Sequence, residues 1–359
     1  MRSAPVAFIL FFTSCGIDPI VDSYEIISKR NLGEELGIEI GNYGGLFVTD
    51  DDKIIAINER LDEQQSSQLT LIGISENHPP MISELSVDGF DIDLNTGSTK
   101  RFETTYLGLS PFSAFQNTLL TIDGNLNISQ SSIPEEAIPY PLNSALKHLT
   151  NNSLYLGREN RLIKIDFNGD RQLEVDLSSV IQVLQIKEGV DGFFVLLMEG
   201  GFTQLAHLST SGEIQWTVTL NGINNDVPDL TKATDIFVSE FNTVSVIGEN
   251  EEGGLMIAVY DLRGEFIFRR FLGDFFLTQF RDFVYPPDGT FIMALAGDER
   301  VGDASFSVIK LDHRGELSWT GNYRVGSLVN DLEIENINQN DLAVLTENGF
   351  LYQLEAMLN

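Results

Sequence analysis

Apolar and polar residues alternate along this chain in short runs that are separated by turn residues. The stretch VIKLDHRGELSW, at residues 308–319, shows the pattern: an alternating run, a short polar loop that ends in glycine, and a second run. Alternation with a period of two is typical of β-strands. A short loop that ends in glycine suits a tight hairpin, because glycine adopts positive φ without steric cost. The pattern predicts two antiparallel strands joined by a turn.

The same hairpin pattern recurs at least four times along the chain. RLIKIDFNGDRQL, LAHLSTSGEIQW and IAVYDLRGEFIF, upstream of the first example, also match it. The four glycines lie 43 to 52 residues apart, and the fourth residue after each glycine is large and apolar. The pairs are Gly169 and Leu173, Gly212 and Trp216, Gly264 and Phe268, and Gly315 and Trp319. We interpret these eight residues as structural positions of a repeated unit, and both tryptophans of the chain are among them.

Each hairpin is accompanied by two further strands, and no convincing amphipathic helix separates the units. A four-stranded sheet of about 40 to 50 residues cannot bury both of its faces alone, whereas sheets stacked in a closed ring can. The repeat therefore predicts an all-β fold. We expect a β-propeller of seven or eight four-stranded blades, with seven preferred, formed by residues 23–359 as a single domain.

Ring closure is predicted from the two ends of the chain. The last unit ends after its third strand, in FLYQLEAMLN, while SYEIIS at residues 23–28 is a strand candidate without a unit of its own. An open edge would leave main-chain N–H and C=O groups unpaired. We therefore expect a segment within residues 22–30 to pair antiparallel to the 350–357 strand.

The first residues read as an export signal. Arg2 precedes an apolar run of about nine residues, which is too short to span a bilayer but fits a signal peptide. The run ends in FTSCG, which resembles the lipobox of bacterial lipoproteins, with Phe12 in a place where Leu is usual. The resemblance implies a signal peptide at residues 1–14, lipidation of Cys15, a tether at residues 15–22, and a cell-envelope protein of the outer membrane that faces the periplasm or the cell surface. The alternative is an ordinary secretory leader in which Cys15 is incidental.

Charge and composition narrow the classes of partner. Acidic residues outnumber basic ones 53 to 22, for a net charge of −31, and no Lys/Arg cluster is present. Binding to nucleic acid is therefore not expected, and attraction to anionic headgroups or polyanionic glycans is disfavoured. Cys15 is the only cysteine, so no intramolecular disulfide can form. The four histidines, His78, His148, His207 and His313, lack metal-ligand spacing.

The words IKLDHRGELSW and LAHLSTSGEIQW resemble quinoprotein-like and WD40-like propeller repeats, and they are similar to repeats of lipoproteins from Bacteroidota. The resemblance is clear over residues 150–357 and weak over residues 30–150. It implies a propeller with docking tryptophans, and it does not imply a function, because propellers carry unrelated activities. Enzymatic quinoproteins hold their cofactor between tryptophans, and Trp216 and Trp319 occupy the docking position instead. In architecture and repeat style alone, a lipid-anchored propeller also resembles the scaffold lipoprotein of the outer-membrane barrel assembly machine.

No catalytic or metal-binding residues can be assigned from the sequence, and no cofactor is expected. DFNGD at residues 166–170 and TDDDK at residues 49–53 cluster the oxygen ligands that calcium prefers, but neither has the spacing of a 12-residue loop, and a turn is favoured. The preferred function is a non-enzymatic scaffold that is anchored by its lipid and binds an envelope protein or glycan. The alternative is a polysaccharide hydrolase or lyase with acidic residues in a central channel. Polar and acidic side chains converging at one channel mouth would favour the enzyme, and a broad apolar face would favour the scaffold.

Overall fold

Strands dominate the chain because its apolar and polar residues alternate and its turn residues recur every few positions. The computed structural model describes residues 21–39, 41–49, 52–61, 67–75, 78–87, 90–91, 100–101, 104–111, 117–123, 125–133, 146–149, 153–166, 168–177, 180, 182–200, 202–220, 230–239, 243–284, 290–297, 306–312, 314–324, 329–338 and 341–358. Two short helical elements lie in these ranges, α1 (Leu32–Leu36) and a 3-10 turn (Leu277–Gln279).

The described residues form seven antiparallel sheets. The first strand of the chain, β1 (Val21–Asn31), belongs to the last sheet. Sheet 1 contains β2 (Asn42–Val48), β3 (Ile54–Leu61), β4 (Ser67–Ser75) and β5 (His78–Val87). Sheet 2 contains β6 (Phe90–Asp91), β7 (Lys100–Arg101), β8 (Thr104–Pro111), β9 (Asn117–Asp123) and β10 (Ile128–Ile133). Sheet 3 contains β11 (Leu146–Leu149), β12 (Ser153–Arg158), β13 (Arg161–Asp166) and β14 (Arg171–Asp176).

The remaining sheets repeat the four-stranded order along the chain. Sheet 4 contains β15 (Gln182–Glu188), β16 (Gly192–Glu199), β17 (Phe202–Ser209) and β18 (Ile214–Thr219). Sheet 5 contains β19 (Lys232–Val238), β20 (Thr243–Glu249), β21 (Gly254–Asp261) and β22 (Phe266–Phe276). Sheet 6 contains β23 (Phe280–Val284), β24 (Phe291–Ala296), β25 (Phe306–Leu311) and β26 (Leu317–Tyr323). Sheet 7 contains β27 (Leu332–Asn336), β28 (Asp341–Thr346), β29 (Phe350–Leu358) and β1.

The first strands of neighbouring sheets contact one another, in the pairs β11 with β15, β15 with β19, β23 with β27, and β27 with β2. We call the first strand of each sheet its inner strand. In sheet 6 the middle strands β24 and β25 are buried along their length, as expected for strands that are covered on both faces. The hydrophobic core accordingly lies between sheets: Ile292 and Val308 of sheet 6 share one cluster with Leu342 and Leu354 of sheet 7.

Ring closure occurs as predicted from the chain ends. Strand β1 pairs antiparallel to β29, from Val21 opposite Leu358 to Asn31 opposite Phe350. The main-chain N–H of Leu32 extends the contact by donating to the carbonyl of Gly349 at 3.0 Å. The boundary of the predicted tether needs a correction: Val21 and Asp22 were assigned to it, and both lie in β1, whose antiparallel pairing starts at Val21.

Candidate functional site

The repeated glycines lie in the turns between the third and fourth strands, and the turns of Gly212, Gly264 and Gly315 contact the preceding sheet. Gly264 has a φ of +80°, and a Cβ built on it would lie 2.8 Å from Cδ2 of Trp216. The indole Nε1 of Trp216 donates to the carbonyl of Leu262 in the same turn at 2.9 Å. The large residue of one repeat therefore packs under the glycine turn of the next.

The same contact recurs on both sides of this pair. A Cβ on Gly212 (φ +85°) would meet Val175 and Leu173 of sheet 3, and one on Gly315 (φ +77°) would meet the ring of Phe268. Gly169 also has positive φ, at +86°. Trp319 packs against the cluster between sheets 6 and 7. Leu173, Trp216, Phe268 and Trp319 are thus partly buried residues that contact the neighbouring sheet.

Acidic residues at the start of these turns accept hydrogen bonds from main-chain N–H groups of the same hairpin. Oδ1 of Asp166 accepts from the main-chain N–H groups of Asn168 and Asp170, both at 2.9 Å. Asp261 and Asp312 make the equivalent pair of bonds, with all four distances 2.8 Å. In the part of the chain that the structure describes, no group of three His, Cys, Asp or Glu side chains could hold a metal ion.

A second set of carboxylates, which the sequence analysis did not single out, connects the inner strands. Oδ2 of Asp282 in β23 accepts from the N–H of Ile334 in β27 at 2.9 Å. Oε1 of Glu333 in β27 accepts from the N–H of Gly45 in β2 at 2.7 Å, and its Oε2 accepts from the N–H of Leu46. These side chains use the main-chain donors of the neighbouring inner strand and join sheets 6, 7 and 1.

Burial raises the pKa values of this group. Desolvation raises the pKa of Asp282 to about 7, in spite of the hydrogen bonds from Ile334 and Phe283. Desolvation, with the charge of Asp282 as the next cause, raises the pKa of Glu333 to about 8. Burial also raises the pKa of Asp235 in β19, and the charge of Lys187 acts against this rise. Near neutral pH the inner strands therefore hold carboxyl groups that have not all lost their protons.

A weak sequence signal for these residues exists. An Asp followed by an apolar residue appears in the inner strand or just before it in three consecutive units, at Asp235, Asp282 and Asp331. Each Asp Oδ1 accepts from the N–H of the next residue, at 2.8, 2.7 and 3.0 Å. The repeated pair could have been recognised, but the bond from Ile334 to Asp282 could not, because its acceptor lies on one sheet and its donor on another.

The surface of the described part carries a groove of about 660 Å³ near the meeting point of the chain ends. Turns and strands of three sheets line it: the β2–β3 and β4–β5 turns of sheet 1, the β9–β10 turn of sheet 2, and the β27–β28 turn with β1 and β29 of sheet 7. We call it the seam groove. Its volume is within the about 300–1,000 Å³ typical of ligand sites.

The seam groove combines aliphatic and polar side chains. Its apolar residues are Ile27, Ile54, Ile74, Met81 and Ile337, and its polar and charged residues are Asp52, Lys53, Ser75, His78, Asn125, Asn338, Asp341 and Gln353. The amide of Asn338 fixes Asp341: Nδ2 donates to Oδ2 at 2.6 Å, and Oδ1 accepts from the Asp341 N–H at 3.0 Å.

The two histidines whose side chains the structure describes, His78 in sheet 1 and His207 in sheet 4, lie in different sheets. His78 is exposed and lines the seam groove. His207 is buried, stacks on Phe194 with ring centroids 4.7 Å apart, and has Nε2 3.4 Å from Oδ1 of Asp191. The side chain of His148, all of His313 and the predicted lipidation residue Cys15 lie outside the described residues. Where the chain is described, it has no helix with the length and apolar character needed to cross a membrane.

Comparisons with solved structures identify the fold. Virginiamycin B lyase from Staphylococcus aureus aligns with a TM-score of 0.59 and 12% identity over 93% of this chain and 100% of the lyase chain. The Neurospora crassa Pan2 WD40 domain aligns with a TM-score of 0.60 and 10% identity, covering 94% and 97% of the two chains. YCF48 bound to D1 peptide aligns with a TM-score of 0.56 and 12% identity, covering 95% and 100%.

No protein-family model and no curated protein matches this sequence. The identities to the solved structures are low, so these similarities establish the fold and leave the function to the site. Taken with the stacked four-stranded sheets, they show that the chain is an all-β protein with the β-propeller fold.

Proposed function

We propose that this protein is a non-enzymatic scaffold of the bacterial cell envelope, tethered through lipid on Cys15, that binds a protein partner on its surface. The seam groove is the observation that carries the proposal, because it offers a site of ligand size with apolar and polar groups on turns from three sheets. YCF48, a protein of similar fold, was solved bound to D1 peptide. A propeller of this type is thus able to present a surface to a peptide.

Polysaccharide cleavage is the second candidate, and the raised pKa values of Asp282 and Glu333 favour it, since a general acid works best near the operating pH. The geometry favours a structural role. Both oxygens of each carboxyl group accept main-chain N–H bonds, three of them from the neighbouring sheet. A substrate would have to replace bonds that join the inner strands.

The partner is tested by crosslinking on intact envelopes. The anchored protein is crosslinked, solubilised in detergent and purified, and the captured molecules are identified as protein or glycan. A specific protein captured from envelopes and rebound by the purified propeller supports the proposal. A glycan as the sole specific ligand, or turnover of a polysaccharide that is lost on Asp282→Asn substitution, would replace it.

The anchor is tested separately. Cys15→Ala removes the thiol that would carry the lipid, so the protein should leave the membrane fraction while its melting temperature stays unchanged. Ser14→Ala is the control, because it changes the same segment and keeps the thiol. A Cys15→Ala protein that fractionates with membranes as strongly as the wild type would show that Cys15 is not the anchor.

A further inference from the structure

We propose that the seam groove binds an extended, positively charged segment of a protein partner. This inference rests on the proposed binding function and adds the site and the chemistry of the segment that it recognises.

The shape of the groove fits an extended chain. Its lining runs from Ile27 in β1 and Gln353 in β29 of sheet 7, past the turns of sheet 1, to Asn125 in the β9–β10 turn of sheet 2. The lining therefore comes from three consecutive sheets of the ring. An extended segment, which advances about 3.3 Å per residue, can follow such a path and place alternate side chains toward its floor.

The apolar floor of the groove suits the apolar side chains of a peptide, and its amide groups suit the peptide main chain. Ile54 and Ile74 form the buried floor, and Ile27 lies at the side with 55% of its surface exposed. Asn125 and Gln353 provide amide groups that both donate and accept hydrogen bonds, as the main chain of an extended segment requires. Apolar side chains of the segment can pack on the isoleucines while its main chain contacts the amides.

The charges in the groove favour a cation. Asp52 is exposed, Asp341 is held by Asn338, and no ion pair in the described part of the chain involves either carboxylate. Lys53 also lines the groove, and its charge acts on Asp123 as well: burial raises the pKa of Asp123, but hydrogen bonds from Asn127 and Asn125 and the charge of Lys53 outweigh it and lower the pKa. The chain carries −31 charges in all, which draws cationic partners and repels anionic ones.

The test uses three fluorescein-labelled synthetic peptides of about ten residues with the same aliphatic residues and with Lys, Ser or Glu at the alternate positions. Fluorescence anisotropy measures their binding to the purified, leaderless protein at about 0.15 M salt, where charges more than about 8 Å apart are screened. We expect the Lys peptide to bind at least about tenfold more tightly than the Ser peptide, a difference of about 1.4 kcal/mol, and the Glu peptide not to bind.

Two pairs of variants locate the site. The double variant Asp52→Asn with Asp341→Asn should bind the Lys peptide at least about tenfold more weakly. The control variant Glu213→Gln with Glu252→Gln changes the same number of charges at exposed residues elsewhere and should bind the peptide as the wild type does. Since Asp341 is partly buried, Ile27→Lys provides a second test without loss of a buried contact.

Ile27→Lys should weaken binding of the Lys peptide, because it adds a cation to the groove. Ile82→Lys is its control, since Ile82 is 46% exposed on β5 and does not line the groove. Equal losses in groove and control variants would mean that the peptide binds by general charge, and unchanged binding in the groove variants would place it elsewhere; either result overturns the inference.

The envelope experiment separates this inference from the proposed function. If the wild type and both groove variants capture the same protein partner equally well, the binding function stands and the groove is not its site. If the wild type captures no specific partner, the proposed function fails, whatever the peptides show.

Discussion

At the scale of single residues, two requirements meet at the repeated glycines. The turn needs a residue at positive φ, and the large residue of the preceding sheet occupies the space where a Cβ would be. The sequence spacing assigns Gly264 and Phe268 to one repeated unit, because both lie in the same hairpin. It could not show that Gly264 contacts Trp216, since that contact joins consecutive repeats.

Gly264→Ala should therefore destabilise the protein more than Gly253→Ala. Both glycines have φ near +80°, so both substitutions carry the same backbone cost of about 1 kcal/mol. A Cβ at Gly253 would lie 3.9 Å from the nearest atom, in Phe276, whereas at Gly264 it would be 2.8 Å from Trp216. Overpacking should add about 1–3 kcal/mol at Gly264. Urea unfolding of the two variants measures the difference, and equal losses would show that the ring of Trp216 moves away freely.

Trp216 provides the matching test from the other side of the contact. Trp216→Ala should cost about 3 kcal/mol of unfolding free energy, near the lower end for large aromatic residues because the side chain is only partly buried. Trp216→Phe keeps most of the apolar contact and loses the bond to the carbonyl of Leu262, at a cost of about 1 kcal/mol. Denaturant titrations read both values. A Trp216→Ala protein as stable as the wild type would remove the residue from the sheet contact.

At the scale of elements, hairpins and ring closure could be predicted because their signals are local or lie at the chain ends. Residues 23–28 are a strand candidate without a unit of its own, and the missing fourth strand of the last unit predicts that they pair with the 350–357 strand, as β1 and β29 do. The short helix α1 was not predicted. It begins after Asn31, whose Oδ1 accepts from the N–H of Glu34 at 3.2 Å, and it ends at Gly37 with a φ of +65°. One turn of helix is too short to show a periodic pattern.

A chain that begins at residue 32 should be much less stable than one that begins at residue 21. The shorter chain lacks β1, leaves the edge of β29 unpaired, and loses the contact of Lys29 with the ring of Phe350, where Nζ lies 4.7 Å from the centroid. We expect a loss of at least about 3 kcal/mol. Thermal and urea unfolding of the two purified chains give the comparison. Equal stability would mean that sheet 7 holds its place without the N-terminal strand.

At the scale of the whole molecule, the inner-strand carboxyl groups connect the ring across its closing sheet. Asp282 joins sheet 6 to sheet 7, and Glu333 joins sheet 7 to sheet 1. The seam groove lies over the same closing sheet, between β28 and the turns of sheet 1. Neither feature could be predicted from the sequence, because each combines residues from sheets that are far apart in the chain, and with 53 acidic residues no particular carboxyl group stands out.

These carboxyl groups should make the protein more stable in mild acid than in mild base. Asp282 and Glu333 have pKa values of about 7 and about 8 in the folded protein, against about 4 in an unfolded chain. Between pH 4 and pH 8 the folded state therefore binds more protons than the unfolded state, so the free energy of unfolding falls as the pH rises through this window. Asp235 and Asp331, whose pKa values are also raised by burial, act in the same direction, and Lys187 and Arg281 oppose them. The expected fall is at least about 2 kcal/mol.

Asp282→Asn combined with Glu333→Gln isolates this effect from the repulsion of the whole negative surface. The amides cannot ionise, so the variant should lose most of the pH dependence, although each amide has one oxygen where the carboxyl group has two and one main-chain N–H is left without its acceptor. The variant should consequently be less stable than the wild type at pH 5, and the difference should narrow or reverse by pH 9.

The control variant, Glu213→Gln with Glu252→Gln, removes the same number of charges from exposed positions and should keep the wild-type slope of unfolding free energy against pH. Urea unfolding at about 1 M salt, where exposed charges are screened beyond about 3 Å, measures all three proteins. If the double amide variant kept the wild-type slope, the pH dependence would come from the surface, and the inner-strand carboxyl groups would be ionised in the folded protein as they are in the unfolded chain.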